Sequence, residues 1–249
     1  MKDNQLTSGL SLQNVSHAYG EVQVLQNLNL TVKPGEFVVL VGPSGCGKTT
    51  LLNLLSGYLQ PQSGSVHREG IIRTVYQQDG LFPWLTVTEN ISMGLRLADK
   101  NRHENELREL IELIHLQGFE NHYPHQLSGG MRQRVELARV IAGDSDILLM
   151  DEPFSALDYQ TRLRMRLELV RLLQKRPRTV VFVTHDIEEA VQLADRVLVL
   201  ADRPSYISKE LQITSPRPRN TTDDTAVEAT KAILHEFGLE VTDNDNNKL

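Results

Sequence analysis

The run GPSGCGKTT at residues 42–50 restricts the possible folds of this chain more than any other stretch does. It matches the pattern GxxxxGK[ST], in which glycines let the backbone wrap closely around phosphate oxygens. The apolar run FVVLV precedes it and KTTLLNLLSG follows it, as expected for a strand that leads through a loop into a helix. Amides at the start of such a helix favour a bound anion. The sequence therefore predicts nucleotide binding, in which Lys48 binds the β- and γ-phosphates and the Thr49 hydroxyl is a ligand of Mg²⁺.

Short β-branched runs recur along the chain, at 37–41, 71–76, 147–150, 180–184 and 197–200. Uninterrupted apolar runs of this length are typical of strands buried on both faces of a parallel sheet. Amphipathic patterns between some of these runs, at 104–115 and 161–176, predict helices. Strands that alternate with helices indicate an α/β domain.

Three regions depart from this alternation. The segments before residue 37 alternate apolar and polar residues, and KPGE at 33–36 predicts a hairpin turn within a small antiparallel sheet. Residues 79–143 contain helical patterns without a strand, which predicts an inserted helical subdomain. We expect the main domain to span 1–204. For the tail at 205–249 we expect one helix at 225–237, with Thr225 and Glu228 at capping-box spacing, and no separate regulatory domain.

Charge and cysteine content narrow the class of protein. The net charge is −6 and the pI is about 5.8, which argues against a generally nucleic-acid-binding protein. Cys46 is the single cysteine, so no disulfide can form within the chain. No apolar run approaches the roughly 18 residues that span a bilayer, and the N-terminus lacks a signal-peptide pattern. We expect a chain that is soluble by itself and meets a membrane only through a partner.

Two carboxylates end the apolar run ILLMDEP at 147–153. Because α/β proteins bind ligands at the carboxyl ends of parallel strands, Asp151 is the natural Mg²⁺ ligand. Glu152 could deprotonate or orient a water that attacks the γ-phosphorus, a role typically worth ~10²–10⁴-fold in rate. The alternative is a solvated loop start, which the phosphate loop upstream makes the weaker interpretation.

A second anion-holding pattern lies at 127–140, where LSGGMRQRVELARV predicts a Ser-Gly-Gly turn that opens into an amphipathic helix. Together with the other motifs it identifies a family. In chain order, GPSGCGKT, VYQQ, LSGGMRQRVELARV, ILLMDEP, SALD and THD resemble the Walker A, Q-loop, signature, Walker B, D-loop and H-loop motifs of ABC-type ATPases. The resemblance covers roughly residues 10–203 and departs only mildly, at Met131, where glutamine is commonest. It implies a P-loop NTPase fold with a RecA-like core, an N-terminal antiparallel β subdomain and an inserted helical subdomain.

The resemblance also implies roles for individual residues. Tyr19 is similar to the aromatic residue that stacks on adenine, and Gln77 to the glutamine that meets Mg²⁺ or the attacking water. His185 resembles the switch histidine that contacts the γ-phosphate, and Asp158 the acid that communicates between subunits. Mg²⁺ would be held by Thr49, Gln77 and Asp151. ATP would be bound by the phosphate loop: Gly42, Pro43, Ser44, Gly45, Cys46, Gly47, Lys48, Thr49 and Thr50.

In the resembled family two cassettes pack head to tail, and the signature of one closes over the ATP of the other. Ser128, Gly129 and Gly130 would therefore contact the ATP of a second ATPase subunit, which we expect to be an identical chain. Cys46 falls at a variable position of the phosphate loop. We predict that a bulky thiol reagent at Cys46 would block nucleotide binding.

The stretches GLFPWLTVTEN, MDEPFSALD and THDIEEAVQLADRVLVL most resemble the importer ATPases of the nitrate, sulfonate, taurine and bicarbonate group. This resemblance implies integral membrane permease subunits, an extracytoplasmic substrate-binding protein, and a position at the cytoplasmic face of the cell membrane. Trp84 would lie near the groove for a permease coupling helix, or alternatively pack in the helical subdomain. Two other classes of protein are alternatives to a transport ATPase: a non-transport ABC ATPase that acts on nucleic acid or the ribosome, and a small-molecule kinase. The first usually carries tandem cassettes, coiled coils or basic extensions, and the second needs neither the signature nor the H-loop.

Overall fold

The computed structural model describes residues 9–77, 80–95 and 100–239. The strands are β1 (Leu10–Tyr19), β2 (Val22–Val32), β3 (Phe37–Val41), β4 (Ser63–Arg68), β5 (Ile72–Val75), β6 (Ile147–Asp151), β7 (Thr179–Val183), β8 (Arg196–Leu200) and β9 (Ile207–Gln212). The helices are α1 (Lys48–Ser56), α2 (Val87–Ser92), α3 (Lys100–Leu113), α4 (Gly129–Ala142), α5 (Tyr159–Lys175), α6 (Ile187–Leu193) and α7 (Asp224–Glu236), with a 3₁₀ turn at Pro124–Gln126.

Six strands form the central sheet, in the order β5-β6-β7-β3-β8-β9. The first five are parallel, and β9 runs antiparallel to β8. Every residue of β3, β6, β7 and β8 is buried, which explains their uninterrupted apolar sequences. The predicted α/β class is confirmed, and β3 lies between β7 and β8 in the middle of the sheet.

The second sheet is antiparallel, with the order β2-β1-β4. A turn forms at the predicted KPGE, where the Glu36 amide donates to the Lys33 carbonyl at 3.0 Å. It is not a hairpin, however, because β3 is apolar on both faces and pairs in the central sheet, so the turn carries the chain from one sheet to the other. The hairpin lies earlier, between β1 and β2, at Gly20 with φ +60°. The third strand, β4, has the sequence SGSVHR, which carries no apolar alternation and was not predicted.

Between β5 and β6 the described residues form α2, α3, the 3₁₀ turn and α4, and no strand. Helix α2 begins with a capping box in which Thr86 and Glu89 satisfy each other's backbone amides. Leu110 and Ile111 of α3 are buried, as the predicted apolar face requires, although α3 starts four residues earlier than predicted. These helices join the same hydrophobic core as one face of the central sheet.

The chain after residue 204 packs onto the domain. Strand β9 extends the central sheet, an element missed because ISKELQ is half exposed and mostly polar. Helix α7 occupies the predicted position, but Asp223 is its N-cap residue, and Thr225 donates to the Ser215 hydroxyl instead of forming a capping box. Residues 240–249, the end of the predicted tail, lie outside the described residues. Among the described helices, none is long and apolar enough to cross a membrane.

Candidate functional site

A cavity of about 510 Å³ lies at the carboxyl ends of β3, β6 and β7. Parallel strands bring their carboxyl ends to one edge, which is where ligands bind in such sheets. The cavity joins residues that are up to 184 positions apart, since its lining runs from Tyr19 to Arg203. The predicted site residues that line it are Tyr19, Ser44, Gly45, Gly47, Lys48, Thr49, Thr50, Gln77, Asp151, Glu152 and His185.

The phosphate loop connects β3 to α1, and at two of its glycines an added Cβ would crowd a neighbouring strand. Gly47 precedes α1 with φ +114°, and a Cβ there would lie 2.8 Å from Cγ1 of Val24. A Cβ on Gly42 would lie 3.0 Å from the carbonyl oxygen of Leu200. The loop therefore packs against β2 on one side and β8 on the other, with no room for a side chain at either contact.

Lys48 and Cys46 point into the loop itself. The Lys48 ammonium donates to the carbonyl oxygens of Gly42 at 2.7 Å and Pro43 at 2.9 Å. Cys46 is 1% exposed and does not line the cavity, and burial raises the pKa of its thiol although Lys48 nearby opposes this. The thiol belongs to the packing of the loop, and any contact of Cys46 with phosphate would come from its backbone.

Thr49 and Asp151 meet across the cavity floor. The Thr49 hydroxyl donates to Oδ2 of Asp151 at 2.8 Å. Asp151 is the buried last residue of β6, and burial raises the pKa of its carboxyl, against the lowering effect of the Thr49 hydrogen bond. Two adjacent oxygen donors, one of them a carboxylate, suit Mg²⁺, which typically takes one or two protein carboxylates beside phosphate and water oxygens.

The Glu152 carboxylate lies between two other predicted catalytic residues. Its Oε1 is 3.1 Å from Nδ1 of His185, and its Oε2 accepts from Nε2 of Gln77 at 3.4 Å. The backbone of Glu152 has φ +48°, a left-handed conformation that is unfavourable for a residue with a Cβ. The predicted trio of Glu152, His185 and Gln77 is thus brought together in one corner of the cavity.

A buried ionic cluster supports the loop that carries His185. Arg166, on the inner face of α5 and 2% exposed, donates to Asp186 at 2.7 Å and to Glu189 at 3.0 Å. Glu189 also accepts from the Thr184 hydroxyl at 2.6 Å, and burial raises the pKa of the Glu189 carboxyl. Sequence analysis missed this cluster. The sequence feature that could have indicated the cluster is an arginine, Arg166, between Met165 and Leu169 on the apolar face of a helix.

Gln133 of α4 is a second residue that the sequence analysis missed. Its side-chain amide donates to the Glu152 carbonyl at 3.1 Å and accepts from the Ala156 amide at 3.0 Å. Gln133 is buried, so these bonds form away from water, where an unpaired amide would be costly. The contact fixes the helix after the Ser-Gly-Gly turn relative to the backbone of Glu152.

The Ser-Gly-Gly turn does not line the cavity of its own chain. Ser128 and Gly129 are exposed at the start of α4, and the Ser128 hydroxyl accepts from the Met131 amide at 3.3 Å. A Cβ on Gly130 would lie 3.0 Å from the carbonyl oxygen of Ala156. The turn is therefore seated against the segment that leads to Asp158.

Asp158 is also outside the cavity. It is exposed and forms the N-cap of α5, where its Oδ1 accepts from the Thr161 amide at 3.0 Å. Hydrogen bonds from Thr161 lower the pKa of the Asp158 carboxyl. The predicted site residues thus fall into three groups: those that line the cavity, the phosphate-loop residues Gly42, Pro43 and Cys46 that do not, and a group outside it at the Ser-Gly-Gly turn and Asp158.

The cavity has further walls that no motif predicted. Val24, Val183 and Arg203 line it, and Arg203 comes from the loop between β8 and β9. Tyr19 borders the cavity with its ring half exposed, and the His17 ring contacts it edge-on at a centroid distance of 5.0 Å. The apolar residues Val24 and Val183 belong to ordinary strand patterns, so the sequence alone could not distinguish them from core.

Known proteins resemble this chain over most of its length. The family model described as ABC transporter matches residues 25–155. An uncharacterized ABC transporter ATP-binding protein of Methanocaldococcus jannaschii is 42% identical over 248 residues, 94% of this chain and 93% of that protein. An aliphatic sulfonates import ATP-binding protein of Rhodococcus jostii, SsuB 1, is 45% identical over 222 residues, 86% of this chain and 87% of that protein.

A solved structure is similar as well. The dimeric structure of MJ0796, a bacterial ABC transporter cassette, is 34% identical and has a TM-score of 0.74. The similarity covers 83% of this chain and 100% of the solved chain.

Proposed function

This chain belongs to the ABC transporter family of ATP-binding ATPases, and from that premise we propose that it powers uptake of a small oxyanion through a membrane permease. The substrate class is that of the nitrate, sulfonate, taurine and bicarbonate group. Its support is the resemblance of the sequence to that group and the 45% identity to a protein named as an aliphatic sulfonates importer subunit. The observation that carries the ATPase chemistry is the Glu152 carboxylate held by His185 and Gln77 beside Asp151.

In this proposal, the phosphate loop and Lys48 bind the phosphates of ATP, and Tyr19 stacks on adenine. Mg²⁺, held by Thr49 and Asp151 with Gln77 nearby, would neutralise charge on the β- and γ-phosphates. Glu152 accepts a proton from the attacking water, and a base in this position increases the rate of hydrolysis about 10²–10⁴-fold. His185 orients the Glu152 carboxylate through the 3.1 Å contact and contacts the γ-phosphate.

The second ATPase subunit would complete the site. Ser128 and Gly129 are exposed, and these two residues and the half-buried Gly130 lie outside the cavity of their own chain, so they are available to the ATP of a second, identical chain. Backbone amides at the start of α4 offer hydrogen bonds to an anion. The dimeric cassette structure that this chain is similar to supports such an assembly.

The permease would dock on the segment 80–95. Trp84 is 69% exposed, which excludes the alternative that it packs in the core, and Met93 is exposed as well. Phe82 packs against Trp84 with ring centroids 5.5 Å apart, and the Arg139 guanidinium lies over the Phe82 ring. Exposed aromatic residues of this kind typically mark protein interaction sites. The complete system would include an extracytoplasmic substrate-binding protein, with this subunit at the cytoplasmic face of the membrane.

Glu152→Gln, assayed with ATP and Mg²⁺, tests the chemistry and the assembly together. We expect ATP hydrolysis to fall about 10²–10⁴-fold while an ATP-bound dimer accumulates in light scattering. Glu69→Gln, which removes an exposed carboxylate at the end of β4, is the matched control and should hydrolyse ATP normally. Retained hydrolysis by a monomeric Glu152→Gln would contradict both the base assignment and the shared site.

Co-purification tests the transport role. A tagged chain expressed with its own neighbouring genes should retain a polytopic membrane protein in detergent. Recovery of ribosomes or nucleic acid in place of a membrane protein would contradict the transport proposal and favour the non-transport class.

A further inference from the structure

The loop between β8 and β9, residues 201–206, forms a wall of the ATP cavity that none of the family motifs includes. Ser205, which is fully buried, anchors this loop to the rest of the domain. The Ser205 amide donates to the Val24 carbonyl at 2.8 Å, and its carbonyl accepts from the Gln26 amide at 3.0 Å. The Ala201 amide closes the loop on the Tyr206 carbonyl at 3.0 Å. The loop is therefore anchored to β2, the strand that also packs against Gly47.

This anchoring places Arg203 beside the phosphate loop. Arg203 lines the cavity two residues before the anchor, and its Nη2 lies 3.8 Å from the position that a Cβ on Gly45 would occupy. Gly45 has φ +77° and belongs to the loop that wraps the phosphates. Within the described part of the chain, the Arg203 side chain makes no hydrogen bond or ion pair. A guanidinium thus lies at the phosphate loop with its donors available.

The charges around the cavity suggest what those donors bind. Lys48 already donates to two carbonyls of its own loop, whereas Asp151 and Glu152 add negative charge to the same cavity. ATP brings further negative charge along its phosphate chain. A guanidinium offers five donors in a planar fork that matches phosphate oxygens in a bidentate manner. Stacking of Arg203 on adenine is the other chemical option, but the guanidinium lies beside Gly45 of the phosphate loop.

We propose that Arg203 binds the phosphate chain of ATP and increases nucleotide affinity from outside the known motifs. The inference rests on ATP being the ligand of this cavity, as in the proposed function. It assigns to the β8–β9 loop a phosphate-binding role that none of the sequence motifs covers. It also explains why the loop is tied to β2: a guanidinium on an anchored loop loses less freedom when it binds.

Arg203→Ala and Arg203→Lys test the proposal, with Lys209→Ala as the matched control. Lys209 is an exposed cation in β9 of the same hairpin and outside the cavity. Affinities for ATP, ADP and adenosine are measured by calorimetry in EDTA, which prevents turnover. We expect Arg203→Ala to weaken ATP binding about 5- to 30-fold, the loss of one charge-assisted contact. Arg203→Lys should recover part of the loss, and Lys209→Ala should stay within about twofold.

Three outcomes separate the possibilities. If wild-type protein binds ATP and Arg203→Ala binds it equally well, the role of Arg203 is wrong and the proposed function stands. If wild-type protein does not bind ATP, the proposed function itself fails. If adenosine binding falls as much as ATP binding, Arg203 contacts the base, and the phosphate assignment is wrong. Since the Arg203 side chain forms no hydrogen bond or ion pair with any residue that the structure describes, we expect wild-type protein and Arg203→Ala to have the same melting temperature. Arg203→Gln provides a polar variant for the same comparison.

Discussion

Nδ1 of His185 lies 3.1 Å from Oε1 of Glu152, although the two residues follow different strands of the sheet. Strands β6 and β7 are parallel neighbours, with Asp151 opposite Val183. Glu152 comes one residue after Asp151, and His185 two residues after Val183. The strand register therefore determines the distance between the two catalytic candidates, and no contact from another chain is needed to form the pair.

Replacing His185 by alanine should lower kcat more than it changes KM. The Glu152 carboxylate would lose the group that orients it, and we expect hydrolysis to fall about 10- to 100-fold, less than on loss of the base itself. Steady-state kinetics with ATP and Mg²⁺ measure the effect. His67→Ala, an exposed histidine on β4, should retain full activity. An unchanged kcat for His185→Ala would show that the contact has no role in catalysis.

The left-handed backbone of Glu152 predicts a difference between two inactive variants. At φ +48° a residue with a Cβ is strained, and glycine is not. Glu152→Gly should therefore be more stable to urea than Glu152→Ala by about 1 kcal/mol. Equal urea midpoints for the two variants would mean that the backbone relaxes at no cost.

The buried ionic cluster predicts a large loss of stability on removal of Arg166. Arg166→Met would remove the fully buried partner of Asp186 and Glu189 and leave them the partly exposed Arg162, and breaking such a cluster typically costs about 3–5 kcal/mol. Arg171→Met is the control, since the Arg171 side chain is 67% exposed and its pairing with Glu168 is worth at most about 1 kcal/mol. Denaturant unfolding compares the two. Similar losses for both variants would argue against a supporting role of the cluster under the His185 loop.

The capping box of α2 predicts a pH dependence of stability. Hydrogen bonds from the Thr86 amide and hydroxyl lower the pKa of the Glu89 carboxyl. A carboxyl whose pKa is lower in the folded state than in the unfolded state stabilises the folded state at every pH above its unfolded-state pKa. This contribution is lost as the pH falls through the folded-state pKa. Wild-type protein should thus have a higher melting temperature than Glu89→Ala at neutral pH, and this difference should shrink as the pH is lowered.

Glu89→Gln separates the charge of Glu89 from its hydrogen bonds. Glutamine can form the same capping box but does not titrate. The melting difference between Glu89→Gln and Glu89→Ala should therefore not change with pH. A difference between wild-type protein and Glu89→Ala that does not shrink on acidification would contradict the assignment.

The phosphate loop predicts how Cys46 reacts. The thiol is buried and its pKa is raised by burial, so the reactive thiolate is scarce and a maleimide should label it slowly. Once labelled, the protein should not bind ATP, because a bulky adduct would displace Lys48, whose Nζ is 3.9 Å from Sγ. Cys46 is the single cysteine, so mass spectrometry reports its modification without ambiguity. Normal ATP affinity of the fully labelled protein would overturn this prediction.

The parts of the fold that could be predicted are those that a local pattern determines. The buried strands can be recognised as apolar runs. The phosphate loop can be recognised by glycines and a lysine at fixed spacing. Strands β4 and β9 are held by backbone pairing with β1 and β8, while their own side chains are mostly polar or exposed, so no local pattern marks them.

The candidate site shows the same division. Glu152, His185 and Gln77 lie next to recognisable motifs and could be named from the sequence. Arg203 and Gln133 could not, because their positions depend on contacts between distant segments: Ser205 with Val24, and α4 with the end of β6. A single sequence carries no record of such contacts.

The position of β3 has a consequence for motion. Because parallel strands bond to it on both sides, its amides can exchange with solvent only when the sheet itself opens. Hydrogen exchange in 37–41 should therefore report the global unfolding free energy, whereas the edge strands β5 and β9 exchange through local fraying. The phosphate loop therefore begins in the segment that we expect to open last.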